Sequence, residues 1–131
     1  MTPKCKAHAP ALRYKRVVIR TIRQDYQTLE IDVQGEGFAF LRVTFQGPVG
    51  YRVLDERDLC EFWTDYHSGN GWLYEVQSGG WLDLESTRPT FVTPSFHPTV
   101  KEYFLVCDMC INVLSNHPPE LIDLGTDPTQ P

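Results

Sequence analysis

The stretch Thr28-Leu29-Glu30-Ile31-Asp32-Val33-Gln34-Gly35-Glu36-Gly37-Phe38-Ala39-Phe40-Leu41-Arg42-Val43-Thr44-Phe45-Gln46 decides the fold. Leu29, Ile31 and Val33 alternate with Thr28, Glu30 and Asp32, and Leu41, Val43 and Phe45 alternate with Arg42, Thr44 and Gln46. A period of two means a strand with one buried and one wet face. The intervening Gln34-Gly35-Glu36-Gly37 supplies glycines for a turn. The stretch therefore predicts an antiparallel hairpin with a partly solvated sheet face.

Working outward, the β-branched cluster Val17, Val18, Ile19, Thr21 and Ile22 predicts a strand within Leu12–Arg23. Gly47-Pro48 breaks the hairpin's second strand, and Tyr51–Leu54 resumes it. Asp55 suits a helix N-cap, and Glu56 and Asp58 suit a helix N-terminus. Leu59, Phe62, Trp63 and Tyr66 then fall at i, i+3, i+4 and i+7, so one principal helix of about three turns is expected over residues 56–66. It should stop near His67, before Ser68-Gly69-Asn70-Gly71. Two Gly-Trp-Leu starts follow, at Gly71 and Gly80, and both read as extended pieces separated by a glycine turn. Lys101–Cys107 and Ile111–Leu114 read as a last hairpin around Asp108-Met109. Prolines mark residues 1–11 as a loose tail and residues 115–131 as a second one. Between them lies a single domain, residues 12–114. The expected class is α+β: a twisted antiparallel sheet of about six to eight strands with the 56–66 helix on one face. Alternating βαβ units are absent, which argues against a doubly wound nucleotide-binding fold.

The 131 residues carry a formal net charge of -5, but the charge is split. Residues 1–23 hold seven basic side chains and no acid, while the rest holds five basic side chains and all 17 acids. An acidic body repels nucleic acid and attracts cationic partners. Glu36-Gly37-Phe38-Ala39-Phe40-Leu41-Arg42-Val43 partly matches an RNA-recognition pattern. However, Glu36 stands where a basic residue belongs, Val43 where an aromatic belongs, and the preceding helix of that fold is missing. Phe38 and Phe40 read as one apolar strand face, and Arg16 and Arg20 as pairing with Glu30 and Asp32 across the sheet. No apolar run is long enough for a membrane span and Met1–Pro10 lacks a signal-peptide core, so a cytoplasmic protein with reduced thiols is expected.

Chemistry-bearing motifs are few. Cys107-Asp108-Met109-Cys110 has a zinc-clamp spacing, but no second pair completes a tetrahedral site. Cys107 and Cys110 are therefore only weak metal candidates, no cofactor is expected, and strand residues flank the pair where a redox dithiol would need a helix N-terminus. Glu75, Asp83, Glu85 and Glu102 could share a sheet face, as a solvated acidic surface or, less simply, as paired catalytic carboxylates. No G-x-S-x-G, P-loop or H-E-x-x-H occurs. The reading leans away from an enzyme and assigns no catalytic residue. Trp63, Trp72 and Trp81 suit a core where helix meets sheet, with glycine-flanked Trp72 and Trp81 also candidate partner anchors.

The run Gly50-Tyr51-Arg52-Val53-Leu54-Asp55-Glu56-Arg57-Asp58-Leu59, with Trp63, Gly71-Trp72-Leu73-Tyr74-Glu75-Val76, Gly79-Gly80-Trp81 and Lys101-Glu102-Tyr103, resembles small uncharacterised bacterial domain proteins. Some of these resemble immunity proteins of polymorphic toxin systems. The resemblance implies a monofunctional α+β domain that binds a protein and blocks it. An acidic domain would suit a basic toxin, because complementary charge speeds association. The expected function is thus a non-enzymatic protein-binding domain, with Glu56, Asp58, Glu61, Asp65, Trp72 and Trp81 as contacts. A small-molecule-binding domain or small enzyme with a sheet-lined pocket is the alternative, and oligomerisation through the first strand is a third reading.

Overall fold

The computed structural model describes residues 2–63, 65–66 and 71–126, with only the backbone at position 63. Among the described residues nine strands form two antiparallel sheets: β1 Lys4–Ala7, β2 Val18–Gln24, β3 Thr28–Gln34, β4 Ala39–Gln46, β5 Pro48–Asp55, β6 Leu73–Ser78, β7 Lys101–Val106, β8 Met109–Ser115 and β9 Glu120–Thr126. One sheet has the order β1-β6-β7-β8-β5 and the other the order β2-β3-β4-β9. The expected hairpin is β3–β4, in register from Thr28↔Gln46 to Gln34↔Phe40. The final hairpin, β7–β8, is also present, from Lys101↔Ser115 to Val106↔Cys110.

Period-two alternation places the core. Leu29, Ile31, Val33, Leu41, Val43 and Phe45 of the four-stranded sheet meet Leu73, Tyr103, Leu105, Ile111 and Val113 of the five-stranded sheet. Phe45 and Tyr103 bring their rings within 5.6 Å across this interface. The chain leaves one sheet for the other at Gly47, whose φ of 56° suits glycine. The outer face of the five-stranded sheet is also apolar. Tyr74, Val76, Phe104, Val106 and Cys110 there pack against Leu59 and Phe62. That second core explains why β6, β7 and β8 read as nearly continuous apolar runs, as strands covered on both faces do.

Several expectations are corrected. Among the described residues of 56–66 no single principal helix runs the length of the segment. Glu56–Leu59 is a 3₁₀ turn running into α1, Cys60–Trp63. Leu59, Phe62 and Tyr66 keep to the packed side, but residues three apart also align in a 3₁₀ turn, so such a stripe does not demand an α-helix. The expected stop near His67, and the side chain of Trp63, lie outside the described residues. The second Gly-Trp-Leu piece is helical: α2 spans Trp81–Glu85, and a further short helix, α3, spans Thr93–Phe96. Neither expected tail is wholly loose. β1 pairs with β6, and β9 pairs with β4, each as a sheet edge. Short edge strands draw their order from pairing, which proline counts do not reveal. The tail prolines 128 and 131 lie outside the described residues. Phe38 sits in the β3–β4 turn with φ 62° and is 46% exposed, so it does not share a strand face with Phe40. Among the described residues no helix is long and apolar enough to cross a membrane.

Candidate functional site

The segment from Asp55 to Tyr66 is held from two sides. Asp55 caps the 3₁₀ turn, with Oδ1 accepting from the Arg57 amide at 2.9 Å. The Arg57 guanidinium also donates to it, and these bonds hold the Asp55 carboxyl below the usual carboxylate range. Leu59 and Phe62 point inward, and Phe62 stacks on Phe104 with centroids 4.3 Å apart. The Tyr66 hydroxyl accepts from the Cys5 amide at 2.9 Å, and its ring meets Tyr74 edge-on at 5.2 Å.

Between this segment and the sheet lies a cleft of about 280 Å³ whose floor includes Leu59, Phe62, Phe104 and Val106. Glu56 lines its mouth, and Tyr66 and Cys110 its sides. The carboxylates expected as contacts are here: Glu56, Asp58, Glu61 and Asp65 are all exposed on this one segment. Burial first, and then the negative charges of Glu56, Asp55 and Asp108, push the Cys110 thiol up to about 11. The mouth of the cleft is therefore electrically negative over an apolar floor.

The tryptophans diverge. Trp72 is 3% exposed and its Nε1 donates to the Ala11 carbonyl at 2.9 Å. It is a core residue with nothing to offer a partner, which corrects its place among the expected contacts. Glycine neighbours say nothing about which sheet face a tryptophan takes. Trp81 is half-buried on α2, with the Arg52 guanidinium 5.3 Å from its ring and its Nε1 donating to Glu85.

The four sheet carboxylates are not brought together. Asp83 and Glu85 lie on α2, and Glu75 points to the face of β6 opposite Tyr74 and Val76. Glu102 is 1% exposed on the outer face. It accepts from the Trp81 and Leu82 amides at 3.1 and 2.7 Å and from Asn112 Nδ2 at 2.8 Å, while Arg52 donates to Asn112 Oδ1 at 3.0 Å. Burial pushes the Glu102 carboxyl up against these bonds. Three of its four lone-pair sites are occupied, two on Oε2 and one on Oε1, so this buried acid fixes α2. Sequence reading missed this role. The signal available was an acid in phase with Phe104 and Val106, in a strand pairing with one that carries Asn112.

On the four-stranded sheet Asp32 pairs with Arg42 and Arg23 at 2.8 and 3.1 Å, and Arg42 also reaches Glu30 at 3.0 Å. Arg23 and Arg42, which were not among the expected partners, hold these acids. Arg20 bonds Gln34, and Arg16 precedes the strand with φ 53°. Cys107 and Cys110 are buried, and burial pushes both thiols up, away from the thiolate that binds metal or attacks. Cys110 Sγ lies 3.7 Å from the Cys107 carbonyl. Among the described residues no group of three or more His, Cys, Asp or Glu side chains is placed to hold a metal ion. The Tyr74 hydroxyl is buried without a hydrogen-bond partner among the described residues, and burial raises it to about 12.

Comparison of the chain with protein-family models, with curated proteins and with solved structures gave no match.

Proposed function

We propose that this chain is a non-enzymatic protein-binding domain whose partner is a basic protein, in the manner of an immunity-type inhibitor of a basic toxin. One observation carries the reading: Glu56, Asp58, Glu61 and Asp65 are exposed on the segment that walls an apolar cleft of about 280 Å³. Such a surface complements a polypeptide that places an aliphatic or aromatic side chain in the cleft and basic side chains around it. The buried apolar contact would set the dissociation rate, and the carboxylates would speed association at low salt.

The test is affinity capture from the native cell with the wild-type chain and with a Glu56→Lys, Asp58→Lys, Glu61→Lys, Asp65→Lys variant. It is paired with titration of a synthetic peptide alternating lysine and leucine. The wild type should retain a basic protein that salt releases and the variant does not hold. The peptide should perturb Leu59, Phe62 and Val106 signals in NMR spectra. Equal capture by both proteins, or peptide binding that ignores the charge reversal, would overturn the proposal.

A further inference from the structure

The inner face of the five-stranded sheet is apolar at Leu73 and Leu105 and turns polar one pair further along. Lys6 pairs with Glu75, and Glu75 pairs with Tyr103, so three neighbouring strands set an ammonium, a carboxylate and a phenol side by side. His8 follows two residues after Lys6. These four side chains line a cavity of about 230 Å³, closed on one side by Pro118 of the β8–β9 connection. Tyr103 is 3% exposed and anchored on Phe45, so the row is backed by the core.

The charges within the row do not cancel. Lys101 Nζ lies 3.4 Å from Glu75 Oε1, and Lys6 is paired with Glu75 across the β1–β6 ladder, so two ammonium groups flank one carboxylate. Among the described residues around the cavity the surplus is thus one positive charge, in a chain whose net charge is -5. Burial holds the His8 imidazole below its ordinary value against the pull of Glu75, so at neutral pH it is an uncharged ring with one N–H to donate. Burial and Glu75 both raise the Tyr103 phenol, which keeps its proton.

We propose that this cavity binds a small carboxylate, with the Lys6 ammonium pairing with the anion and the Tyr103 hydroxyl and His8 ring as neutral donors. Charge-assisted bonds of this kind are the strong ones. One surplus positive charge matches a monoanion, and Glu75 beside it disfavours a dianion. The cavity is smaller than the roughly 300–1,000 Å³ of sites for drug-sized ligands, and Ala7, Ala9 and Pro118 leave room for only a short apolar tail. It opens on the opposite sheet face from the acidic cleft, so it stands or falls independently of the protein-binding reading.

The test uses butyrate, its neutral isostere butyramide, and inorganic phosphate, each titrated into the full chain while the His8 ring and the Ala7 and Ala9 amides are followed by NMR. Butyrate should give saturable shifts, and butyramide and phosphate should not. Lys6→Gln should weaken butyrate by about tenfold or more, equivalent to roughly 1.4 kcal/mol, while Lys6→Arg and Glu56→Lys keep it. Thermal melts of the variants check that the edge strand is intact. Unsaturable butyrate shifts, equal binding of butyramide, preference for phosphate, or an unaffected Lys6→Gln variant would each overturn the proposal.

Discussion

Single residues carry constraints of opposite sign. A Cβ on Gly80 would lie 2.7 Å from Val76 Cγ1 and 2.8 Å from both Glu102 oxygens. Neither neighbour can yield, because Val76 is packed and Glu102 is fixed by three donors. Gly80→Ala should cost about 1–3 kcal/mol, the usual range for overpacking, read as a lower urea midpoint at unchanged m-value. An unchanged midpoint would show that α2 can shift away from the sheet. Asp32 and Glu102 are both buried acids, yet they shift oppositely. Burial raises both, but the guanidinium bonds and charges of Arg42 and Arg23 outweigh it at Asp32 and hold that carboxyl low. A lowered folded value gives stability that is present above the unfolded value and lost as pH falls through the folded one. The raised Glu102 value works the other way, its contribution being lost as pH rises through it. Asp32→Asn should therefore lower the melting temperature at neutral pH, with the gap to wild type narrowing under acid. A constant gap would deny the ionic origin. The alternation that buries Leu29, Ile31 and Val33 was plain in the sequence. The partner of Asp32 was not, because pairing follows register: Asp32 lies opposite Arg42, and the register of β2 shifts between Ile19 and Thr21.

At the scale of elements, local sequence fixed strands better than helices. The two Gly-Trp-Leu starts are the clearest case. After Trp72 the chain enters β6, whereas after Trp81 it forms α2 because Glu102 satisfies the first amides of that helix from a strand twenty residues on. No local pattern records that distant acceptor. The 55–66 segment is similar, since its inward stripe was legible but its backbone type was not. Packing is what holds so short a helical piece, as isolated turns are unstable. Phe62→Ala, which removes the stack on Phe104, should cost roughly 3–5 kcal/mol. Asp55→Ala, which removes the cap, should cost clearly less. Denaturant unfolding of the two variants checks the ranking. A larger loss from Asp55→Ala would mean the cap, rather than the sheet, positions the acidic face.

Over the whole molecule, chain order and sheet order diverge. The chain visits the four-stranded sheet for β2–β4, crosses to the other sheet for β5–β8, and returns for β9, while β1 pairs with the distant β6. Contacts between strands so far apart in sequence make folding slow, and single-exponential refolding on the millisecond-to-second scale is expected in stopped-flow fluorescence of the tryptophans. Microsecond refolding would contradict this topology. The charge split legible in the sequence acquires a geometry here. Arg20 and Arg23 sit on the edge strand β2, and the acidic segment lies on the outer face of the other sheet. The sandwich itself was not legible, because a period of two reveals a buried face without saying what buries it. The bond from the Cys5 amide to the Tyr66 hydroxyl couples one edge of the molecule to the wall of the cleft. That amide is a clock. Its proton trades with deuterium when Tyr66 lets go, so a partner that fills the cleft and braces Tyr66 should slow that exchange, read at β1 with no label placed on the acidic face.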